Sequence, residues 1–251
     1  MRAMDIKDLL AAVYAGRPPK VPAKTARALS FAPPVAKAVP KLAFERLPPA
    51  HRALLVKSDG LELLSGSYRL FGWAHGRRLP QWNEDAAWKF AWGERAAPYF
   101  CFGESVLGNQ FAYRQDELDG AGTPRVYELY AVTLEPLCNY PDFAGFLDGG
   151  FFNGVQDDPY HARIAQARAA CGGFAPDQHM AYMPSPLLNG GQLGGLQLVP
   201  MEARAHMIIN GDLWCQLAHR HTLAGLHGID SYTDAAGRPR LRAVWGSPEL
   251  H

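Results

Sequence analysis

Apolar residues at Ile6, Leu9, Leu10 and Val13 form one stripe, which predicts a helix over Asp5–Tyr14 that Gly16-Arg17-Pro18-Pro19 ends. A second helix starts on prolines at Leu47-Pro48-Pro49 and runs to Lys57, before an Asp59-Gly60 turn. The pattern then becomes pleated: Leu61–Leu64, a turn at Gly66, and Tyr68–Phe71. Asn83–Ala91 reads as a helix with Asn83 as its cap and Trp88 facing inward. Tyr99–Phe102 and Phe111–Tyr113 are short aromatic runs around Gly103 and Gly108-Asn109, hence strand, turn, strand. Val126–Val132 is a further strand, Pro141–Leu147 a short amphipathic helix, and Arg114–Thr123 a polar hairpin tip.

In the last third, His161–Cys171 is an alanine-rich helix stopped by Gly172-Gly173. Gln178–Met183 enters a proline bend that leaves through Gly190-Gly191; Leu196–Met201 and an apolar-studded Ala203–Leu217 follow. Ile229–Tyr232 and Leu241–Trp245 read as a terminal hairpin. These elements predict an α+β fold: a mixed, mostly antiparallel central sheet flanked by helices, with a C-terminal extension on the same core. The organisation expected is an N-terminal helix and basic Pro/Ala-rich arm over 1–41, a central domain over 42–150, and the extension over 151–251.

Composition narrows the function. Of 251 residues, 48% are hydrophobic and 20% charged, the balance of a folded, water-soluble protein. A net charge of +1 provides no global field for nucleic acid, and no apolar run reaches the ~20 residues a membrane span needs. The N-terminus lacks a secretory apolar segment, so a cytoplasmic location is expected. Lys20, Lys24, Arg27, Lys37 and Lys41 sit in a stretch with no acid between Asp8 and Glu45, read as an extended arm. Cys101, Cys138, Cys171 and Cys215 form no CxxC pair, and Cys101 and Cys215 read as buried thiols. Trp73, Trp82, Trp88 and Trp92 suit a core better than a sugar-stacking platform.

The candidate chemistry is sparse. His219-Arg220-His221, with His227 beyond, would present two imidazoles on one face if it were a strand, as a zinc hydrolase needs. Asp212 or Asp230 could add a carboxylate, and His179 or His206 another imidazole, but no HExxH is present. No GxSxG elbow occurs, and Gly190–Gly195 lacks the Lys-Ser/Thr of a phosphate loop. Asp116, Glu117 and Asp119 lack calcium-loop spacing.

The order of the central motifs resembles the SUKH superfamily, which joins fungal cell-wall regulators to bacterial toxin-immunity proteins. The residues that carry the resemblance are Leu47-Pro48 through Asp59-Gly60, Phe102-Gly103-Glu104 with Gly108-Asn109, and Phe143 with Phe146-Leu147. The Tyr182…Pro184…Gly190-Gly191…Val199…His206…Gln216-Leu217 order is similar to the extension of many bacterial members and of type VI secretion immunity proteins. The resemblance implies a non-enzymatic immunity protein without cofactor, which binds a cognate toxin and occludes its active surface. Against a basic nuclease the partner-binding residues would be the acidic pairs and clusters Glu84-Asp85, Asp116-Glu117-Asp119 and Asp157-Asp158. The alternatives are a metal-dependent hydrolase using His219 and His221, and a regulatory scaffold with no toxin partner.

Overall fold

The computed structural model describes residues 6–14, 21, 23–33, 44–74, 78–153, 158–173 and 175–246. Its centre is a seven-stranded antiparallel sheet whose strands lie side by side in chain order, an α+β architecture. The strands are β1 (Leu29–Phe31), β2 (Leu61–Leu63), β3 (Tyr68–Leu70), β4 (Tyr99–Ser105), β5 (Gln110–Arg114), β6 (Val126–Leu129) and β7 (Pro136–Tyr140). Two hairpins stand apart from it: β8 (Gln178–Met183) with β9 (Gln197–Glu202), and β10 (Leu226–Thr233) with β11 (Pro239–Trp245).

Side chains alternate across β5, so its two faces receive different partners. Phe111 and Tyr113 meet the first helical layer, formed by α1 (Ile6–Val13), α3 (Pro49–Lys57) and α6 (Phe143–Phe146). There Phe102 stacks on Tyr113 with centroids 4.5 Å apart, Phe111 sits 4.9 Å from Phe146, and His51 lies flat on Phe143 at 4.4 Å. Tyr14, just past α1, clamps the layer by donating to the Ala144 carbonyl (3.0 Å) and the Asp148 carboxylate (2.8 Å). The stretch expected as an extended arm is corrected in part: the single-turn helix α2 (Ala23–Arg27) leads into β1, which pairs with β2, because the Leu29–Phe31 backbone finds its hydrogen-bond partners in Leu61–Leu63. Residues 34–43 lie outside the described residues.

Gln110 points to the opposite face, where α4 (Leu79–Asn83), the 3₁₀ turn Lys89–Arg95 and α8 (Ala203–Leu217) cover the sheet. The indoles of Trp82, Trp88 and Trp92 are buried here, and each N–H has an acceptor: Gln110 Oε1 (2.7 Å), the Trp82 carbonyl (2.9 Å) and the Met207 carbonyl (2.9 Å). A buried indole without such an acceptor would carry a desolvated donor. Met207 and Ile208 of α8 join the same core as Leu54, Phe102 and Phe111. α7 (Asp158–Ala170) packs through Ile164 against Val106 and Met180.

Several sequence expectations shift by an element. The helix expected over Asn83–Ala91 instead ends at Asn83, because the amide of Asn83 is drawn to β4. Its Oδ1 accepts from the Cys101 N–H (2.8 Å) and its Nδ2 donates to the Cys101 carbonyl (2.7 Å), replacing a neighbouring strand. The strand expected to reach Val132 stops at Leu129, and a turn closed by Leu134 N–H to the Tyr130 carbonyl leads into β7. β7 is an edge strand with Pro136, Leu137 and Asn139 exposed, so it has no apolar alternation by which to be found. The polar tip contains a helical turn, α5 (Gln115–Leu118). Cys101 is buried, but Cys215 is exposed on α8 and donates only to the Ala91 carbonyl at 3.5 Å. Among the described residues no helix is long and apolar enough to cross a membrane.

One glycine marks the tightest approach between loops. A Cβ on Gly72 would fall 2.2 Å from the Asp59 carbonyl oxygen, and the Asp59 carboxylate itself receives the N–H groups of Trp73 and Ala74. Neither backbone can yield without breaking those bonds. Gly72→Ala is therefore expected to destabilise by about 3 kcal/mol, the upper end of the cost of overpacking. Urea unfolding of the variant checks this; a midpoint unchanged from wild type would show that the two loops part freely.

Candidate functional site

Two features meet at Trp82: a chain of buried polar groups beneath it and an open groove above it. The buried chain begins at the Phe102-Gly103-Glu104 motif. Glu104 is fully buried on β4 and lies opposite Arg69 of β3, in register. Its Oε1 receives Arg69 at 3.3 Å, and its Oε2 lies 2.9 Å from Nε2 of His179 on β8. His179 Nδ1 lies 3.0 Å from Nδ1 of His206 on α8, and His206 Nε2 lies 3.0 Å from the side-chain nitrogen of Asn210. Asn210 also donates to the Ala131 carbonyl (3.1 Å), and Ser185 reaches its oxygen at 3.5 Å.

Only one proton arrangement satisfies the whole chain. Glu104 can only accept, so His179 carries its proton on Nε2 and accepts at Nδ1 from His206, which in turn accepts at Nε2 from Asn210. Both rings are then neutral. Burial, and the neighbouring His179, push the His206 pKa down to about 3, against a smaller upward pull from Glu104. Gly108 closes the chamber at φ +87°, and a Cβ there would sit 2.9 Å from His179 Nδ1 and 3.0 Å from His206 Nδ1. Only a glycine both adopts that φ cheaply and leaves room for the two rings. Asn109 beside it accepts from Ala131 N–H (3.1 Å) and donates to Glu128 (3.0 Å), locking the β4–β5 turn to β6.

The rings of Trp82 and His179 meet nearly at right angles, with centroids 6.4 Å apart. The other side of Trp82 is the floor of a groove of about 560 Å³. Glu84 enters it from the loop after α4, Asp177 from the segment before β8, and Glu202 from the start of α8, with Arg78 and Arg204 on the same walls. Arg204 staples the groove together by donating to the carbonyls of Ala87 (3.1 Å) and Ala86 (3.4 Å). The Glu202 carboxylate caps α8 by accepting from the N–H groups of Arg204 (3.1 Å) and Ala205 (2.7 Å). No ion pair joins these five charges to one another or to any other described residue.

The residues proposed from sequence fall in separate places. Glu84 lines the groove, with exposed Asp85 next to it in the chain. Asp116, Glu117 and Asp119 lie beyond the far end of β5, and each is paired locally: with Arg114 (2.9 Å), Arg125 (2.7 Å) and Arg46 (2.9 Å). Hydrogen bonding from Arg114 holds Asp116 below the usual carboxylate range. That cluster, expected as a partner-binding surface, is therefore a lattice of both signs in which each carboxylate already has a guanidinium partner. Asp157 and the side chain of Asp158 lie outside the described residues.

His219 and His221 lie in an exposed turn after α8, so the strand geometry that would aim both rings at one metal is missing. Asp212 is bound to Arg240 and the Leu241 N–H (2.7 Å), and Asp230 pairs with Arg242 at 3.7 Å. Among the described residues no group of three or more His, Cys, Asp or Glu gathers as metal ligands do. His179 and His206, candidate third ligands from sequence, are instead interior members of the buried hydrogen-bonded chain. His179 lies 75 residues from Glu104 in the chain and 27 from His206, so no local pattern joins the three. No protein-family model, curated protein or solved structure matches the chain.

Proposed function

We propose that this chain is a non-enzymatic binding protein of the SUKH immunity type, which neutralises a cognate bacterial toxin by covering its active surface. One observation carries this reading: the polar residues of the motif that suggests the family all brace the frame. Glu104 anchors β3, β4 and β8, Gly108 packs on the histidine pair, and Asn109 pins β6. Exposed charge without an ion pair to a described residue lies in the open groove over Trp82, on Arg78, Glu84 and Asp177. Rigid framing beneath an exposed charged concavity is what an inhibitor requires, because pre-organisation lowers the ordering cost of binding. The cytoplasm is the compartment in which such a protein would meet a toxin delivered into the cell.

Co-expression tests it. Genes adjoining this one that encode toxin-like proteins are expressed in a bacterial host with and without this chain, and growth is followed. Rescue by the chain, together with a stoichiometric complex by size exclusion and calorimetry, is the expected result. Unrelieved toxicity at equal soluble expression, with no complex formed, would refute the immunity reading.

A further inference from the structure

We infer that the groove floored by Trp82 is the partner-binding surface, and that its occupant is an extended segment of a partner protein carrying an arginine or lysine. This rests on the binding-protein reading above and names the surface and the chemistry it takes. The volume of about 560 Å³ lies in the range that holds a small ligand or a few side chains. Its walls carry three carboxylates, Glu84, Asp177 and Glu202, against the two guanidinium groups of Arg78 and Arg204. The excess is negative, and the free charge is more so. Arg204 already faces two carbonyl oxygens, whereas Glu84 and Asp177 are exposed and make no ion pair with a described residue.

The floor is apolar, made by Trp82, Ala87 and Pro176. That combination suits a long basic side chain, whose methylene stem lies on apolar surface while its charged head reaches carboxylates. Arg78, exposed at the rim, would meet an acidic residue or a carbonyl on the same segment. The occupant is extended because the groove continues. A second cavity of about 240 Å³ shares Pro176 and runs to Glu62 and to Ser30–Ala32 at the edge of the sheet. The floor does not shift to fit, since the indole of Trp82 is bonded to Gln110 and Trp88 is bonded to the Trp82 carbonyl. Selectivity then comes from charge and shape on a preformed surface.

The test uses the full chain and a random heptapeptide library displayed on phage, panned in parallel on wild type and on an E84K/D177K double variant. Both positions are exposed, and circular dichroism with urea unfolding establishes that the variant is folded. The expected result is a consensus containing Arg or Lys on wild type. Its synthetic peptide should bind the double variant at least tenfold more weakly, with an affinity that falls as salt rises. No consensus, a consensus without a basic residue, or equal affinity for the two proteins would overturn the inference. The two readings fail separately. A toxin neutralised equally by wild type and variant removes the groove but keeps the immunity function. A basic peptide bound only by wild type, with no toxin neutralised, does the reverse.

Discussion

Replacing Glu104 by alanine is expected to lower the unfolding free energy by about 3–5 kcal/mol, the usual loss when one partner is taken from a buried ion pair. The substitution takes the buried carboxylate from Arg69, a residue only 6% exposed, leaving the guanidinium the more exposed Glu62 at 3.4 Å, and it removes the acceptor that fixes the His179 tautomer. The effect should spread beyond β4, because His179 orients His206, and His206 faces Asn210. Glu104→Gln should recover little, since its amide cannot accept from both Arg69 and His179 on separate oxygens. Urea denaturation with a Glu104/His179 double-mutant cycle is the measurement. A loss below about 1 kcal/mol, or additive single-mutant effects, would show that the chain of contacts carries no coupled stability.

Acid should weaken the fold well above the range where carboxylates titrate. His51 and His206 are both buried, and burial pushes each pKa down to about 3, aided for His206 by the adjacent His179. Unfolded, each would titrate near 6.5, so the unfolded chain binds the additional proton between those values and its population gains as pH falls. Stability from these two groups is complete above the unfolded value and declines by up to about 1.4 kcal/mol per pH unit for each ring. Summed, the loss between pH 7 and pH 5 is about 4 kcal/mol. His51→Phe should roughly halve this dependence. The ring slot between Phe143 and Phe102 accepts an aromatic, and only the contact to the Tyr113 hydroxyl (3.1 Å) is lost. An unfolding free energy that is flat across that interval would mean that the rings are protonated in the native protein.

Much of the framework was legible locally. The Pro48-Pro49 start of α3, the aromatic runs of β4 and β5, the Gly108-Asn109 reversal and the Phe143/Phe146 pair each encode their conformation within a few residues. The elements without a local signature share one cause. Asn83 ends a helix because its amide bonds to Cys101, 18 residues away, and β7 is held only by its pairing with β6. Neither has a short-range signal.

The candidate site divides along the same line. From sequence alone came a mostly antiparallel α+β scaffold, the burial of the tryptophans and a surface position for the acidic Glu84, since periodicity, turn chemistry and residue type act over one or two turns of chain. Only the tertiary structure decided that Glu104, His179 and His206 share one sealed chamber, and that Glu84, Asp177 and Glu202 face one groove. It also decided that Asp116, Glu117 and Asp119 are matched by arginines from three different segments. The physical reason is that charge pairing and hydrogen bonding act through space over about 3 Å, and the chain brings those atoms together only after distant strands have found their register.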